Sequence, residues 1–270
     1  MIPAPFDYVR AESVAHAVAL LTEHGDEAKL LAGGHSLLPM MKLRSAFPSV
    51  LVDIGRLDEA SYVRVEGDEV AIGALTRHVD LVHSDVLHAE APLIAQVASY
   101  VGDPQIRHRG TIGGSVSHAD AAADLPAAVL ASEATMVIEG PAGRRTVPVT
   151  EFFRGYFETA VQPDEMLVEI RVPRTGPTGS RYEKFTRRAN DWAIVGVATV
   201  AGRIALVNMG ETPLRAGAAE AALADGATPA EAAGLVVVGT NPGADMHGDA
   251  DYRRHLATLL TRRVLTAAAA

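Results

Sequence analysis

Two glycine-centred segments carry the residue types and spacing best suited to chemistry in this chain: Ala32-Gly33-Gly34-His35-Ser36 and Thr111-Ile112-Gly113-Gly114-Ser115. Each follows apolar or β-prone sequence and leads into a new element. Glycine lets the backbone turn tightly and bring N–H groups close to an anion, and Ser36 and Ser115 add hydroxyl donors. A single Gly-Gly after a strand is most often only a turn. Two of them, far apart in sequence, read as two walls closing on one diphosphate. A dinucleotide held in this way points to a redox cofactor. Neither segment is a P-loop, because no Gly-Lys-Ser/Thr follows, and neither is the G-x-G-x-x-G fingerprint of a Rossmann domain.

Other residues are weighed against plainer roles. Asp120 and Asp124 follow the second segment, where a carboxylate either caps a helix start or accepts from sugar-type hydroxyls. Ten histidines invite a metal, yet no H-x-x-x-H or H-E-x-x-H spacing occurs, and scattered surface histidines are the better reading. His35 and His118 stand out because they sit in or beside the glycine segments. No G-x-S-x-G elbow is present for acyl chemistry. Trp192, the single tryptophan, has burial in a core as its default role, with stacking on a planar ring as the minor alternative.

These residues need elements to hold them. Ser13 to Glu23 reads as a helix capped by Ser13, with Val14, Val18 and Leu21 at helical spacing and Gly25 ending it. Lys29 to Ala32 and Val50 to Ile54 read as buried strands, giving a small α/β opening. Tyr62–Glu66 and Glu69–Ile72 alternate around Gly67-Asp68, a hairpin signal. Helices are expected at Thr76–Leu81, Pro92–Val101 and Asp124–Ala131, and strands at Thr135–Ile138, Arg145–Val149 and Met166–Ile170. Pro173 to Ser180 is the best linker. Beyond it, strands at Ile194–Val200 and Arg203–Val207 precede helices at Leu214–Ala224, Pro229–Leu235 and Tyr252–Leu265, with Ala267 to Ala270 a frayed tail. The class is α+β.

A length of 270 residues favours about two domains. Apolar content of 48% supports ordinary cores, and a net charge of −9 argues against a nucleic-acid surface. There is no cysteine, so this chain forms no disulfide, holds no Cys-ligated iron–sulfur cluster or zinc, and attaches no flavin through sulfur. The start, Met1 to Asp7, lacks the basic-then-apolar form of a signal peptide, and no apolar run is long enough for a membrane span. The expected address is the cytoplasm.

The sequence resembles the FAD-binding medium subunit of the molybdenum hydroxylases, the family of xanthine dehydrogenase and aerobic carbon monoxide dehydrogenase. The resemblance rests on Leu30 to Pro39, Ile106 to Ser115, His118-Ala119-Asp120 with Asp124-Leu125-Pro126, Glu183-Lys184-Phe185 with Arg187-Arg188, Asp191-Trp192-Ala193, and Tyr252 to Leu256. It covers essentially the whole chain. It implies an α+β fold: a two-subdomain FAD-binding domain of the vanillyl-alcohol-oxidase (PCMH) type over residues 1–175, with subdomains of about 1–56 and 57–175. A small C-terminal α+β domain with a short antiparallel sheet would take residues 176–270.

It also implies non-covalent FAD. The backbones of Ala32, Gly33, Gly34, His35 and Ser36 and of Thr111, Ile112, Gly113, Gly114 and Ser115 would hold the diphosphate, with Lys29, Leu30 and Leu37 flanking the first loop. His118 would take a position often held by a hydroxyl-bearing contact, with Asp120 also contacting the cofactor. Asp124 matches a ligand of the ribitol region, Leu167 and Lys184 contacts near the adenine and the flavin rim, and Trp192 a position near one isoalloxazine face. The family often has proline where this chain has Ala121. No catalytic residue and no metal ligand is implied here.

By the same resemblance, a molybdenum–pterin large subunit oxidises substrate, and electrons cross a small subunit with two 2Fe–2S clusters to this FAD and then to an external acceptor. The complex would be a dimer of heterotrimers, cytoplasmic or at the inner membrane face, with no nucleic acid and no membrane span. The Ala-Gly-Gly-His-Ser loop looks most like the carbon monoxide branch. Two other readings stay open: a self-sufficient FAD oxidase or dehydrogenase binding substrate over the flavin, and a cofactor-binding scaffold without turnover.

Overall fold

The apolar strand Val50–Asp53 is the centre of a parallel three-stranded sheet, flanked by Asp7–Arg10 and Ala28–Leu31. The computed structural model describes residues 2–177 and 179–269. Helix Val14–His24 covers this sheet because Val14, Ala17, Val18, Leu20 and Leu21 share one buried stripe. Ser13 caps it by accepting from the His16 N–H at 3.0 Å. The chain leaves the strand Ala28–Leu31 through the first glycine segment and enters helix Leu37–Leu43.

A five-stranded antiparallel sheet follows, in the order Val63–Glu66, Glu69–Gly73, Met166–Pro173, Thr135–Gly140, Gly143–Pro148. Its central strand is largely buried, as a strand covered on both faces must be. Residues Val137, Met166 and Val168 of this sheet share an apolar cluster with the parallel sheet and its helix. Past the linker, Ser180–Phe185, Val195–Val200, Arg203–Val207 and Leu214–Arg215 form a four-stranded antiparallel sheet. Val195–Val200 is buried at every residue, because helix Ala250–Ala268 and helix Asp124–Ala131 pack on it. Every residue of Asp124–Ala131 is buried in turn. One apolar cluster therefore runs from Val70 and Ile72 through this helix to Ala198 and Ala205.

The main elements follow the sequence patterns, with specific departures. The strand Asp7–Arg10, the helix Leu37–Leu43 and the hairpin Phe153–Gly155/Glu158–Thr159 were not expected. The second glycine segment is not a turn but the start of helix Ile112–His118, capped by the Thr111 side chain. Leu214–Arg215 is a strand, and its helix begins only at Gly217. The expected frayed tail is instead the end of Ala250–Ala268, with Ala269 N–H on Leu265 O at 3.1 Å. Within the linker Thr178 lies outside the described residues, as do Met1 and Ala270 of the expected leaderless start and frayed tail. Among the described residues no helix is long and apolar enough to cross a membrane.

Phe152 is fully buried in the large cluster and stacks edge-on against Phe153 at 5.2 Å. Phe152→Ala leaves a cavity there and is expected to lower the free energy of unfolding by about 3–5 kcal/mol, read by urea denaturation.

Candidate functional site

The two glycine segments meet. A Cβ built on Gly33 would lie 2.3 Å from Arg109 O and 2.9 Å from Gly110 Cα, so only glycine lets the first loop approach the residues that precede the second segment. Gly34 has φ +78°, a left-handed conformation that glycine adopts without strain. Among the described residues the amides of Gly33, Gly34, His35, Ser36 and Leu37 have no hydrogen-bond acceptor. Consecutive unpaired N–H groups around a left-handed glycine form an anion cradle.

The second segment is built differently. Ile112 N bonds Thr76 O at 3.0 Å, Gly113 N bonds Ala74 O at 2.8 Å, and Ser115 N bonds Thr111 O at 3.0 Å. Gly114 N is held only by the Thr111 hydroxyl, at 3.2 Å. The exchangeable donors here are thus the Gly114 amide and the Ser115 hydroxyl. A Cβ at Gly113 would stand 2.5 Å from Ala74 Cβ, so this glycine serves packing against Ala74.

Between the segments lies a cavity of about 860 Å³, at the upper end of the size of small-molecule sites. Lys29, Leu30, Ala32, Gly33, Gly34, His35, Ser36 and Leu37 line it from the parallel-sheet side. Thr111, Gly113, Gly114, Ser115, His118, Asp124 and Leu167 line it from the second subdomain, and Lys184 and Trp192 from the C-terminal unit. Two expected residues are off this wall. The Ile112 side chain is fully buried in the core, where its apolar bulk is needed. Asp120 spends Oδ1 on the Ala122 N–H at 2.9 Å, which is local turn chemistry. Trp192 departs from its default of core burial: it is 57% exposed.

Asp124 is the first residue of its helix yet caps nothing. Its Oδ1 accepts from the Tyr182 hydroxyl and its Oδ2 from Lys184 Nζ at 2.9 Å. Burial pushes its carboxyl above the usual range, against the pull of Lys184, and burial beside Asp124 pushes the Tyr182 phenol well above its ordinary value. Tyr182 was missed by the sequence reading. Its signal becomes legible only once Ser180–Phe185 is known to be a strand, which was not expected, since residues 182 and 184 of a strand face the same side.

Two residues on the wall itself had no such signal. Phe157, on the unexpected hairpin, packs its ring 5.0 Å from that of His118, whose pKa burial lowers. His78 is buried rather than on the surface, and its Nδ1 has no partner. Burial lowers its pKa from 6.5 to about 4.

The donor set fits a dinucleotide: five free amides in one cradle, apolar Leu30, Leu37 and Leu167, and an aromatic ring at one side. Among the described residues no group of His, Cys, Asp and Glu could hold a metal.

Comparison with known proteins agrees. A family model described as the FAD binding domain in molybdopterin dehydrogenase matches residues 4–175, and one described as the CO dehydrogenase flavoprotein C-terminal domain matches residues 180–268. The chain is 45% identical to the carbon monoxide dehydrogenase medium chain of Hydrogenophaga pseudoflava, across 99% of this chain and 98% of that one. It is 38% identical to subunit alpha of the 6-hydroxypseudooxynicotine dehydrogenase complex of Paenarthrobacter nicotinovorans, across 99% and 96%. A chain of the solved H. pseudoflava carbon monoxide dehydrogenase lacking the Mo-pyranopterin moiety superposes with a TM-score of 0.95 at 48% identity, covering 99% of this chain and 98% of that one.

His78 gives a pH test. Its folded pKa lies below its unfolded value, so the unfolded chain binds the extra proton between about pH 6.5 and pH 4. Stability from this group is complete above pH 6.5 and is lost as the pH falls through about 4. The loss amounts to about 3 kcal/mol. Unfolding free energies from urea titrations are expected to fall between pH 7 and pH 4 by more for the native chain than for His78→Gln, the difference being that amount.

Proposed function

The chain belongs to the family of FAD-binding medium subunits of the molybdenum hydroxylases, and we propose that it serves an aerobic carbon monoxide dehydrogenase. In this reading a molybdenum–pterin large subunit oxidises carbon monoxide. A small subunit with two 2Fe–2S clusters delivers the electrons, and this chain passes them on to an external acceptor. FAD, when bound, supplies the redox chemistry; the protein supplies binding and orientation. The observation that carries the reading is the convergence of both glycine segments on one three-walled cavity.

The roles proposed for the chain's residues come from the family resemblance and are compatible with that geometry. The free amides from Gly33 to Leu37 take the diphosphate oxygens, and Gly114 N and Ser115 Oγ answer from the opposite side. Lys29, Leu30 and Leu37 flank this cradle. Leu167 gives the rings an apolar surface, His118 and Asp124 stand beside the hydroxylated chain, and Trp192 lies beside the isoalloxazine. The cofactor is held without a covalent bond, as a chain with no cysteine allows. The absence of cysteine also requires the clusters to lie in another chain.

Carbon monoxide is favoured over an N-heterocycle by the higher identity to the carbon monoxide relative than to the pseudooxynicotine relative. The assembly proposed is a dimer of heterotrimers in the cytoplasm, at the inner membrane face.

Co-expressed with large and small subunits from its own genome, the chain is expected to co-purify with both, and its flavin absorbance to bleach under carbon monoxide. Bleaching by an N-heterocycle alone would reassign the substrate, and bleaching of the isolated chain by carbon monoxide would refute the subunit role. Gly33→Ala tests the cradle. Its Cβ would collide with Arg109 O, so the Kd for FAD, read by flavin fluorescence titration, is expected to rise about tenfold or more.

A further inference from the structure

Lys184 lies on the cavity wall, but its ammonium is already full. The side chain is 6% exposed, and Nζ donates to Asp124 Oδ2 at 2.9 Å, to Tyr100 O at 2.9 Å and to Asp191 O at 3.1 Å. An ammonium has three N–H bonds, so none is left for a cofactor. Its three acceptors come from two units. Tyr100 and Asp124 belong to the segment that carries the five-stranded sheet and its helices. Asp191 belongs to the C-terminal unit and is the residue immediately before Trp192.

The far side of Trp192 is tied down as well. Asn208 Nδ2 donates to Ala193 O at 2.9 Å and to Ile194 O at 3.3 Å. Buried Arg253 donates to Ile194 O at 2.5 Å from Nη1 and holds Asp245 at 2.7 Å from Nη2. The Trp192 N–H itself is taken by Asp191 Oδ1 at 3.0 Å. An exposed tryptophan thus stands on backbone clamped at both ends by buried cations. Burying cations is costly, and a surface ring placed only by chance needs no such frame.

We propose that Lys184 is a positioning residue. It latches the Asp191–Trp192 segment of the C-terminal unit to Asp124 and Tyr100, and so fixes where Trp192 stands on the cavity wall before any cofactor binds. Its contact with the cavity is a by-product of that position. The inference needs no ligand, and its test stays separate from the assignment of FAD.

Trp192 is the single tryptophan, so its emission reports on this segment alone. The full-length chain, stripped of flavin, is titrated with acrylamide. In Lys184→Met, with far-UV circular dichroism unchanged, the quenching constant is expected to rise about twofold or more as the segment opens locally. Lys184→Arg, which keeps a cation with several donors, is expected to stay close to the native value. Unchanged quenching in folded Lys184→Met, even with a lowered unfolding midpoint, would leave Lys184 a purely structural contact and overturn the latch. An equal rise in Lys184→Arg would overturn it too. Should Lys184→Met not fold, Lys184→Gln, neutral and close in length, is read in the same way.

Discussion

The structure depends on a stack of close backbone approaches in which two glycines in series leave no room for a side chain. Gly33 faces Arg109 and Gly110 from one side. From the other, the His78 ring would lie 2.6 Å from a Cβ at Gly110. His78 N bonds Gly110 O at 3.0 Å and Arg77 Nη1 bonds Arg109 O at 2.9 Å, so the middle layer is pinned from behind. The burial of His78 follows from this stack. A flat neutral ring fits behind Gly110, whereas an imidazolium there would be a buried charge with no partner. The first loop reaches the second subdomain only because every layer between them is thin.

A second constraint joins the C-terminal unit. Helix Asp124–Ala131 is buried along its whole length between the sheet-bearing subdomain and the C-terminal sheet, and so belongs to both. Its apolar residues provide the adhesion. Its first residue, Asp124, sets the register through Tyr182 and Lys184. Buried ion pairs of this kind contribute little net stability over well-packed apolar groups, and their best-attested use is to specify one arrangement among several. Here the arrangement specified is the third wall of the cavity.

Periodicity and punctuation made the regular framework legible. The all-apolar run Val195–Val200, the Gly67-Asp68 hairpin and the Ser13 cap each carry a local signal strong enough to survive packing. What stayed hidden was non-local. The strand Asp7–Arg10 follows two prolines and is mostly exposed, so no alternation marks it; it exists because the edge of Val50–Asp53 is there to pair with. The helix after the first glycine segment has Pro39 near its start, which reads equally well as a loop. In the site, the glycine segments were visible as a pair, but the difference between them was not. Whether an amide is free depends on Ala74 and Thr76, far away in sequence. Likewise, the backbone that follows Trp192 is held by Asn208 and Arg253, far away in sequence, and no pattern around residue 192 could report it.

That difference between the segments says how the cavity works as a binding site. The helix Ile112–His118 has spent nearly all its first-turn amides on the protein and forms a rigid floor. The first loop has spent none of five and supplies the donors. Free donors on a thin, glycine-supported loop are satisfied by water or by an anion, and an anion that bridges loop and floor adds its binding free energy to the contact between the two subdomains. With the third wall fixed by Asp124 and Lys184, a ligand that spans all three units stabilises their mutual arrangement as well as its own position. A cofactor held in this way can be firmly placed without a covalent link. That suits a chain lacking cysteine, which has no thiol through which to attach it.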